Sequence, residues 1–216
     1  MPPTPSSHPL SPPVRLEAVH AVILAGGRGS RMGGLDKGLV SLRGRTLVEH
    51  VALWAAPQVR SLSISANRNA EHYARLGLSV TADDEPDFPG PLAGLLATLR
   101  RCPQPVLAVV PCDALGWPDD LIARLHAVLE ERRAPAAHMA WREDGGWYAE
   151  PLPCLVRASA AQDLAAYMTE GRRSVRGWLA RIGAASLEMT APPGVVNINT
   201  LDDLQALERR ALTSAA

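Results

Sequence analysis

No two cysteines of this chain form a C-x-x-C pair. The three present, Cys102, Cys112 and Cys154, are an odd number, which argues against a disulfide scaffold and a structural zinc site and suits a reducing cytoplasm. Net charge is missing as well. Twenty-two basic residues balance 22 acidic ones, so no global field recruits nucleic acid or an anionic membrane, and neither is expected as a partner. No apolar run nears the ~20 residues of a membrane helix. The first eighteen residues are rich in Pro and Ser and lack the apolar centre of a signal peptide, so residues 1–17 are expected to be a flexible leader.

Two familiar phosphate loops are also absent. The G-x-x-x-x-G-K-[ST] pattern fails because Lys37 does not follow a glycine and no Ser or Thr follows it. The dinucleotide fingerprint G-x-G-x-x-G fails because Met32 stands at its third glycine and Gly33 comes one residue late.

What is present is an apolar run, Val19 to Leu24, that reads as a buried strand and leads into Leu24-Ala25-Gly26-Gly27-Arg28-Gly29-Ser30-Arg31-Met32-Gly33-Gly34-Leu35-Asp36-Lys37-Gly38. Five glycines within nine positions let the backbone turn sharply and bring main-chain N–H groups close to a ligand. Arg28, Arg31 and Lys37 add positive charge beside those donors. A tight turn alone is the plainer account of the glycines, but the cations favour a loop that holds phosphate.

Downstream, Thr46-Leu47-Val48-Glu49 is a capping-box pattern that opens a helix closed by Pro57. Strands are expected at Leu62–Ala66, Leu78–Thr81 and Val106–Val110, and helices at Ala70–Leu76, from Pro91, and from Pro118 to near Arg133. Further on, strands at Ala136–Trp141 and Leu152–Val156 flank a turn at Gly145-Gly146, and helices cover Ser159–Thr169, Val175–Ile182 and a final segment capped by Thr200 and Asp203. Strand and helix in alternation predict βαβ units and a Rossmann-like α/β three-layer sandwich with a mostly parallel sheet. At 216 residues with 47% hydrophobic composition, a single domain over 18–212 is expected. The polar clusters Gly26–Lys37, Asn67–Asn69, Asp83–Asp87 and Asp113 each follow an apolar run. They should therefore converge at the carboxyl edge of the sheet, where open α/β sheets bind ligands. Asp113, at the end of a buried strand and too far from the next helix to cap it, suits a Mg²⁺ ligand. Cys112 beside it reads as a small core residue, and no histidine has metal or nucleophile spacing.

The glycine loop, Leu24 to Lys37, matches the L-A-G-G-x-x-x-R-M-G-x-x-x-K loop of the α/β nucleotidyltransferases. With Met32-Gly33-Gly34-Leu35-Asp36-Lys37-Gly38, Ala66-Asn67-Arg68, Pro89-Gly90-Pro91-Leu92-Ala93-Gly94, Pro111-Cys112-Asp113 and Asn197-Ile198-Asn199-Thr200 in order, the chain resembles the molybdenum cofactor guanylyltransferases over roughly Ala18 to Leu207. The resemblance implies a nucleotidyltransferase-type fold, GTP and molybdopterin cofactor as substrates, Mg²⁺ as cofactor and a cytoplasmic enzyme. Molybdenum-insertion proteins and molybdoenzyme chaperones are candidate partners.

The implied reaction is attack of the pterin's terminal phosphate on the α-phosphorus of GTP, with pyrophosphate leaving. Gly26, Gly27 and Gly29 would cradle the triphosphate, Arg31 and Lys37 would neutralise charge on it, and the matching aspartate, Asp113, would bind magnesium. Asp83 matches the family's nucleotide-binding aspartate and is assigned to the guanine N1–H and N2 amino group, with Asp84 its competitor. Leu24 and Ala25 would meet the purine through the main chain. Ser65 stands where relatives carry asparagine, and the family's proline two residues after the aspartate is replaced by Ala114-Leu115. Asn197 or Asn199 would lend an amide oxygen to the metal, or serve only turn and cap chemistry. Arg172 and Arg173 would meet the pterin phosphate, or be surface charge. The competing readings are a molybdopterin cytidylyltransferase, a sugar-phosphate nucleotidyltransferase and a non-catalytic nucleotide-binding module. The joint presence of Arg31, Lys37 and Asp113 argues against the last.

Overall fold

Strand β1 (Leu16–Leu24) is buried from Val19 through Ile23, as a central strand covered on both faces must be. This is seen in the computed structural model, which describes residues 14–25, 35–84, 90–143, 146–190 and 195–214. After β1 the chain makes a single 3-10 turn (Lys37–Leu39) and a short hairpin, β2 (Ser41–Leu42) with β3 (Arg45–Thr46). Helix α1 (Leu47–Ala55) opens on the expected capping box. The Thr46 hydroxyl accepts from the Glu49 N–H, and the Glu49 carboxylate accepts from the Thr46 N–H at 2.6 Å. The Thr46 hydroxyl, which also donates to the Glu49 carboxylate at 2.6 Å, and then the Thr46 N–H hold the Glu49 carboxyl below its usual range.

Next come β4 (Val59–Ser65), α2 (Ala70–Ala74), β5 (Ser79–Thr81), α3 (Pro91–Arg101), β6 (Val106–Pro111), the two-residue β7 (Ala114–Leu115) and α4 (Leu121–Glu131). The remainder is β8 (Ala136–Glu143), β9 (Gly146–Arg157), α5 (Ala161–Thr169), α6 (Val175–Arg181), β10 (Ala185–Met189), β11 (Val196–Asn197) and α7 (Leu201–Ser214).

Seven strands form one sheet in the order β10-β8-β9-β6-β1-β4-β5. All neighbours are parallel except those of β9, which is antiparallel to both β6 and β8. The chain fills one side of β1 with β4 and β5, then returns to its other side with β6. That reversal opens a crevice beyond the carboxyl ends of β1 and β6. Strand alternation assigns the faces. Val22, Leu107 and Val109 pack with Leu92 and Leu95 of α3, Leu164 of α5 and Trp178 of α6. On the opposite face, Ala21 and Ala108 meet Leu121, Ile122, Leu125 and Leu129 of α4, while Ile23 and Ile64 meet Val48 and Val51 of α1. The α/β three-layer expectation is thus met.

The polar alternation of β4 also has a cause. Ser61, Ser63 and Ser65 pair with His20, Val22 and Leu24 and share their face. The buried His20 imidazole lies 2.7 Å from the Ser61 hydroxyl and 2.8 Å from that of Ser63, and burial lowers its pKa.

Leu125, fully buried under the sheet, should lower the unfolding free energy by about 2–5 kcal/mol when changed to Ala. Leu53→Ala, on the exposed side of α1, should stay within about 0.5 kcal/mol. Urea denaturation of both variants measures the difference.

Candidate active site

Leu24, Ser65, Thr81 and Pro111 lie in one row across four parallel strands, and the ladder runs one residue further. The Ala25 N–H donates to Ser65 O at 2.9 Å, the Ala66 N–H to Thr81 O at 3.0 Å and the Cys112 N–H to Leu24 O at 3.3 Å. Everything following these strands is therefore delivered to one edge.

Beyond β4 and β5, two side chains lock together. Asn67 Nδ2 donates to Asp83 Oδ2 at 2.6 Å, and the Asp83 N–H donates back to Asn67 Oδ1 at 2.8 Å. Burial is the main cause that raises the Asp83 pKa, while the Asn67 bond opposes it and neighbouring Asp84 adds to it. The competing aspartate is engaged elsewhere: Asp84 pairs with Arg101 at 2.5 Å and Arg100 at 3.4 Å, both on α3. Asp83 makes neither of these ion pairs. An alanine Cβ at Gly94 would land on the Ser65 hydroxyl and stand 3.2 Å from Asp83 Oδ1, so Ser65, Asp83 and the first turns of α3 converge at a point where only glycine fits.

A second cluster joins segments distant in sequence. Lys37 Nζ donates to Asp113 Oδ2 at 2.7 Å and to Asn199 Oδ1 at 3.0 Å. Its neighbour Asp36 is anchored by the Tyr73 hydroxyl at 2.5 Å and by Asn69 Nδ2 at 2.9 Å. A Cβ on Gly38 would lie 2.5 Å from that same hydroxyl, which explains the glycine after the lysine. Asp113 follows β6 directly, and its carbonyl accepts from the Ile198 N–H at 2.8 Å. Antiparallel pairing of β11 with β7 brings in Asn197 and Asn199. Asn199 is then held by the cap of α7, where Asp203 accepts from the N–H groups of Asn199 and Thr200. Asn197 pairs with Ala114 through the backbone, so the amide that joins the cluster is that of Asn199.

Burial pushes the Cys112 thiol up to about 12, which leaves it protonated and inert at neutral pH. Arg172 and Arg173 lie in the turn between α5 and α6. Arg172 pairs with Glu170 at 3.3 Å and stacks on Tyr167, and Arg173 donates to the carbonyls of Met168 and Arg172. Gly26, Gly27, Arg28, Gly29 and Arg31 lie outside the described residues, as does Asp87. Sequence reasoning gave no role to Asp36 or Gly94. Their signals were present: a carboxylate next to the lysine, and a glycine one turn into a helix.

Chemically, a carboxylate and an amide oxygen converging on a cation form a hard, all-oxygen set suited to Mg²⁺. Among the described residues no three His, Cys, Asp or Glu cluster at metal-binding distance, so phosphate oxygens and water would complete any such coordination.

The raised Asp83 pKa has a consequence for stability. The folded carboxyl binds its proton more tightly than the unfolded one, so this contribution is whole below the ordinary value of 3.8 and is lost as pH rises through the folded pKa. Asp83→Asn, which keeps an acceptor for Asn67, should therefore be more stable than the unaltered protein at pH 7. The two should converge at pH 3, as read by urea denaturation at both values.

Residues 21–186 match the family model of the MobA-like NTP transferase domain. The chain is 45% identical over 199 residues to a molybdenum cofactor guanylyltransferase of Burkholderia ambifaria, covering 89% of this chain and 97% of that protein. It is 43% identical over 193 residues to the molybdenum cofactor guanylyltransferase of Cupriavidus taiwanensis, with the same coverage. Among solved structures, molybdopterin-guanine dinucleotide biosynthesis protein A of Archaeoglobus fulgidus superposes with a TM-score of 0.66 at 23% identity, over 90% of this chain and 99% of that one. A CMP:2-keto-3-deoxy-manno-octonic acid synthetase complexed with CTP gives 0.69 at 14% identity, over 92% and 100%. These two likenesses concern the fold. By the family match and the curated relatives, the chain belongs to the MobA-like NTP transferases and is an enzyme of the nucleotidyltransferase class.

Proposed function

We propose that the protein transfers GMP from GTP to the terminal phosphate of molybdenum-loaded molybdopterin, forming molybdopterin guanine dinucleotide and releasing pyrophosphate. One observation carries this reading: Asp83 and the Lys37–Asp113 pair follow parallel strands onto one sheet edge, on either side of β1. A base reader and a phosphate-handling pair set apart on one edge are what nucleotidyl transfer requires. The names of the relatives at 45% and 43% identity support guanine and the pterin.

Guanine offers N1–H and the N2 amino group side by side, and the Asp83 carboxylate accepts both. Asn67 holds that carboxylate in place, and Asp84 is excluded by its two arginines. Leu24 and Ala25 meet the purine at the strand end. Ser65, buried at the base of the same point, offers a short hydroxyl to the nucleoside, through water where it does not reach. Gly26 and Gly27 are assigned to the triphosphate through their N–H groups, and Arg31 to neutralising its charge.

Lys37 and Asp113 handle the reacting phosphates. Two anions must meet, so the protein's work is positioning and neutralisation. Asp113, with the Asn199 amide, would hold Mg²⁺, which supplies positive charge against the phosphate oxygens. Lys37 transfers its ammonium from Asp113 to the phosphates and stabilises the charge that develops on departing pyrophosphate. Three free cysteines fit the reducing cytoplasm in which this chemistry would take place. No helix among the described residues is long and apolar enough to cross a membrane. Hand-over of the product to insertion or chaperone proteins would follow release.

Incubation with each NTP, Mg²⁺ and molybdenum-loaded molybdopterin should release pyrophosphate with GTP far faster than with CTP. Turnover with CTP but not GTP would overturn the assignment to guanine. Asp113→Ala should lower turnover roughly 100-fold or more while GTP affinity falls only modestly, and full turnover in that variant would remove Asp113 from the metal site.

A further inference from the structure

The second half of the sheet carries a cation that the reading above does not use. Strand β9 pairs with β6 from Val106↔Arg157 to Val109↔Cys154. The residues of β9 ahead of Cys154 therefore run past that pairing toward the edge where Asp113 lies. They pair on with β8 as Met139↔Glu150, Trp141↔Tyr148 and Glu143↔Gly146, so the β8–β9 hairpin overhangs the crevice on the side away from Asp83. Trp141 and Tyr148 meet there as a tilted pair with ring centroids 4.9 Å apart, and Arg176 of α6 lies 4.8 Å over the Tyr148 ring.

We propose that Arg176 is the residue that receives the phosphate of the acceptor, a reduced pterin carrying a phosphate monoester. This deepens the guanylyl-transfer reading and rests on it.

The five N–H donors of a guanidinium lie in its plane, so stacking on a ring face fixes its orientation and uses none of them. Among the described residues no carboxylate lies within ion-pair distance of Arg176, whereas Arg172 pairs with Glu170 and Arg181 with Glu170 and Asp163. The other stacked arginine of the hairpin, Arg142, lies 5.0 Å over Trp147 and, by strand alternation, on the opposite face.

Glu150 shares the face of Tyr148. Its carboxyl, pushed up by burial, has Arg176 and Asp113 as its charged neighbours. Arg176 is held over a ring that β9 carries past the Val109↔Cys154 pair, toward the edge where Asp113 follows β6. Lys37 is already engaged with Asp113 and Asn199, whereas Arg176 has no carboxylate paired to it among the described residues.

The test is Arg176→Ala, with Arg142→Ala as the control. Molybdenum-loaded molybdopterin is titrated into each protein without nucleotide, and steady-state KM is measured for acceptor and GTP. In Arg176→Ala the acceptor Kd and KM should rise about 10- to 100-fold, the effect of one charge-assisted bidentate contact. The GTP KM should stay within about twofold, since only acceptor binding is touched. Arg176→Lys should recover part of the loss, and Arg142→Ala should behave like the unaltered protein. Equal acceptor affinity in Arg176→Ala and the unaltered protein, or a matching rise in the GTP KM, overturns the assignment and leaves guanylyl transfer standing. Failure of the unaltered protein to use the acceptor with GTP overturns the functional reading and this one with it.

Discussion

One ammonium group joins three parts of the chain that are far apart in sequence. Lys37 comes from the segment after β1, Asp113 from the end of β6, and Asn199 from the turn before the last helix. Each is delivered by structure of its own: Asp36 fastened to Tyr73 and Asn69, Asp113 to Ile198, Asn199 to the α7 cap. The side chains of Lys37 and Asp113 keep 19% and 30% of their exposure, so water screens the pair, which is worth on the order of 1 kcal/mol. Each charge-assisted bond that a triphosphate could offer Lys37 is worth about 1.5–3 kcal/mol. The contact is thus firm enough to order the crevice and weak enough to be exchanged for a phosphate.

The sheet divides the work around that contact. On one side β4 and β5 carry Ser65 and Asp83, with α3 approaching so closely that Gly94 admits no side chain. On the other, the antiparallel β9 lets a hairpin overhang the edge and bring Tyr148, Glu150 and Arg176 toward Asp113. A wholly parallel sheet would end at the edge on that side as well. The one reversed strand lets the hairpin stand as a wall beside the crevice.

Much of this was legible in the sequence because its determinants are local. The apolar runs of β1 and β6, the Thr46–Glu49 capping box and the Thr200–Asp203 cap are all contained within a few residues, and each was found where expected. The convergence of Asp83 and Asp113 followed from βαβ handedness. Non-local contacts were not legible. The choice between Asp83 and Asp84 depends on Arg100 and Arg101, which are sixteen and more residues away. Strand β9 extends well ahead of Leu152, but Pro151 and Pro153 break the ladder there and hide it. Strand β10 alternates strictly, with Ala185, Leu187 and Met189 half-buried and Ser186 and Glu188 exposed, but it is only five residues long and was not among the expected strands. Arg176 acquires its place only because α6 packs over the hairpin, whereas Arg172 and Arg173, which stand out in sequence, fold back on their own turn.

On this reading the Lys37–Asp113 contact is a resting arrangement which the nucleotide and metal would replace. A crystal structure with Mg²⁺ and a non-hydrolysable GTP analogue tests it directly. Lys37 Nζ should lie within hydrogen-bond distance of a phosphate oxygen, and Asp113 Oδ2, now 2.7 Å from that nitrogen, should be bound to the metal. A nucleotide-bound structure in which Lys37 and Asp113 remain paired, with metal held elsewhere, would contradict it.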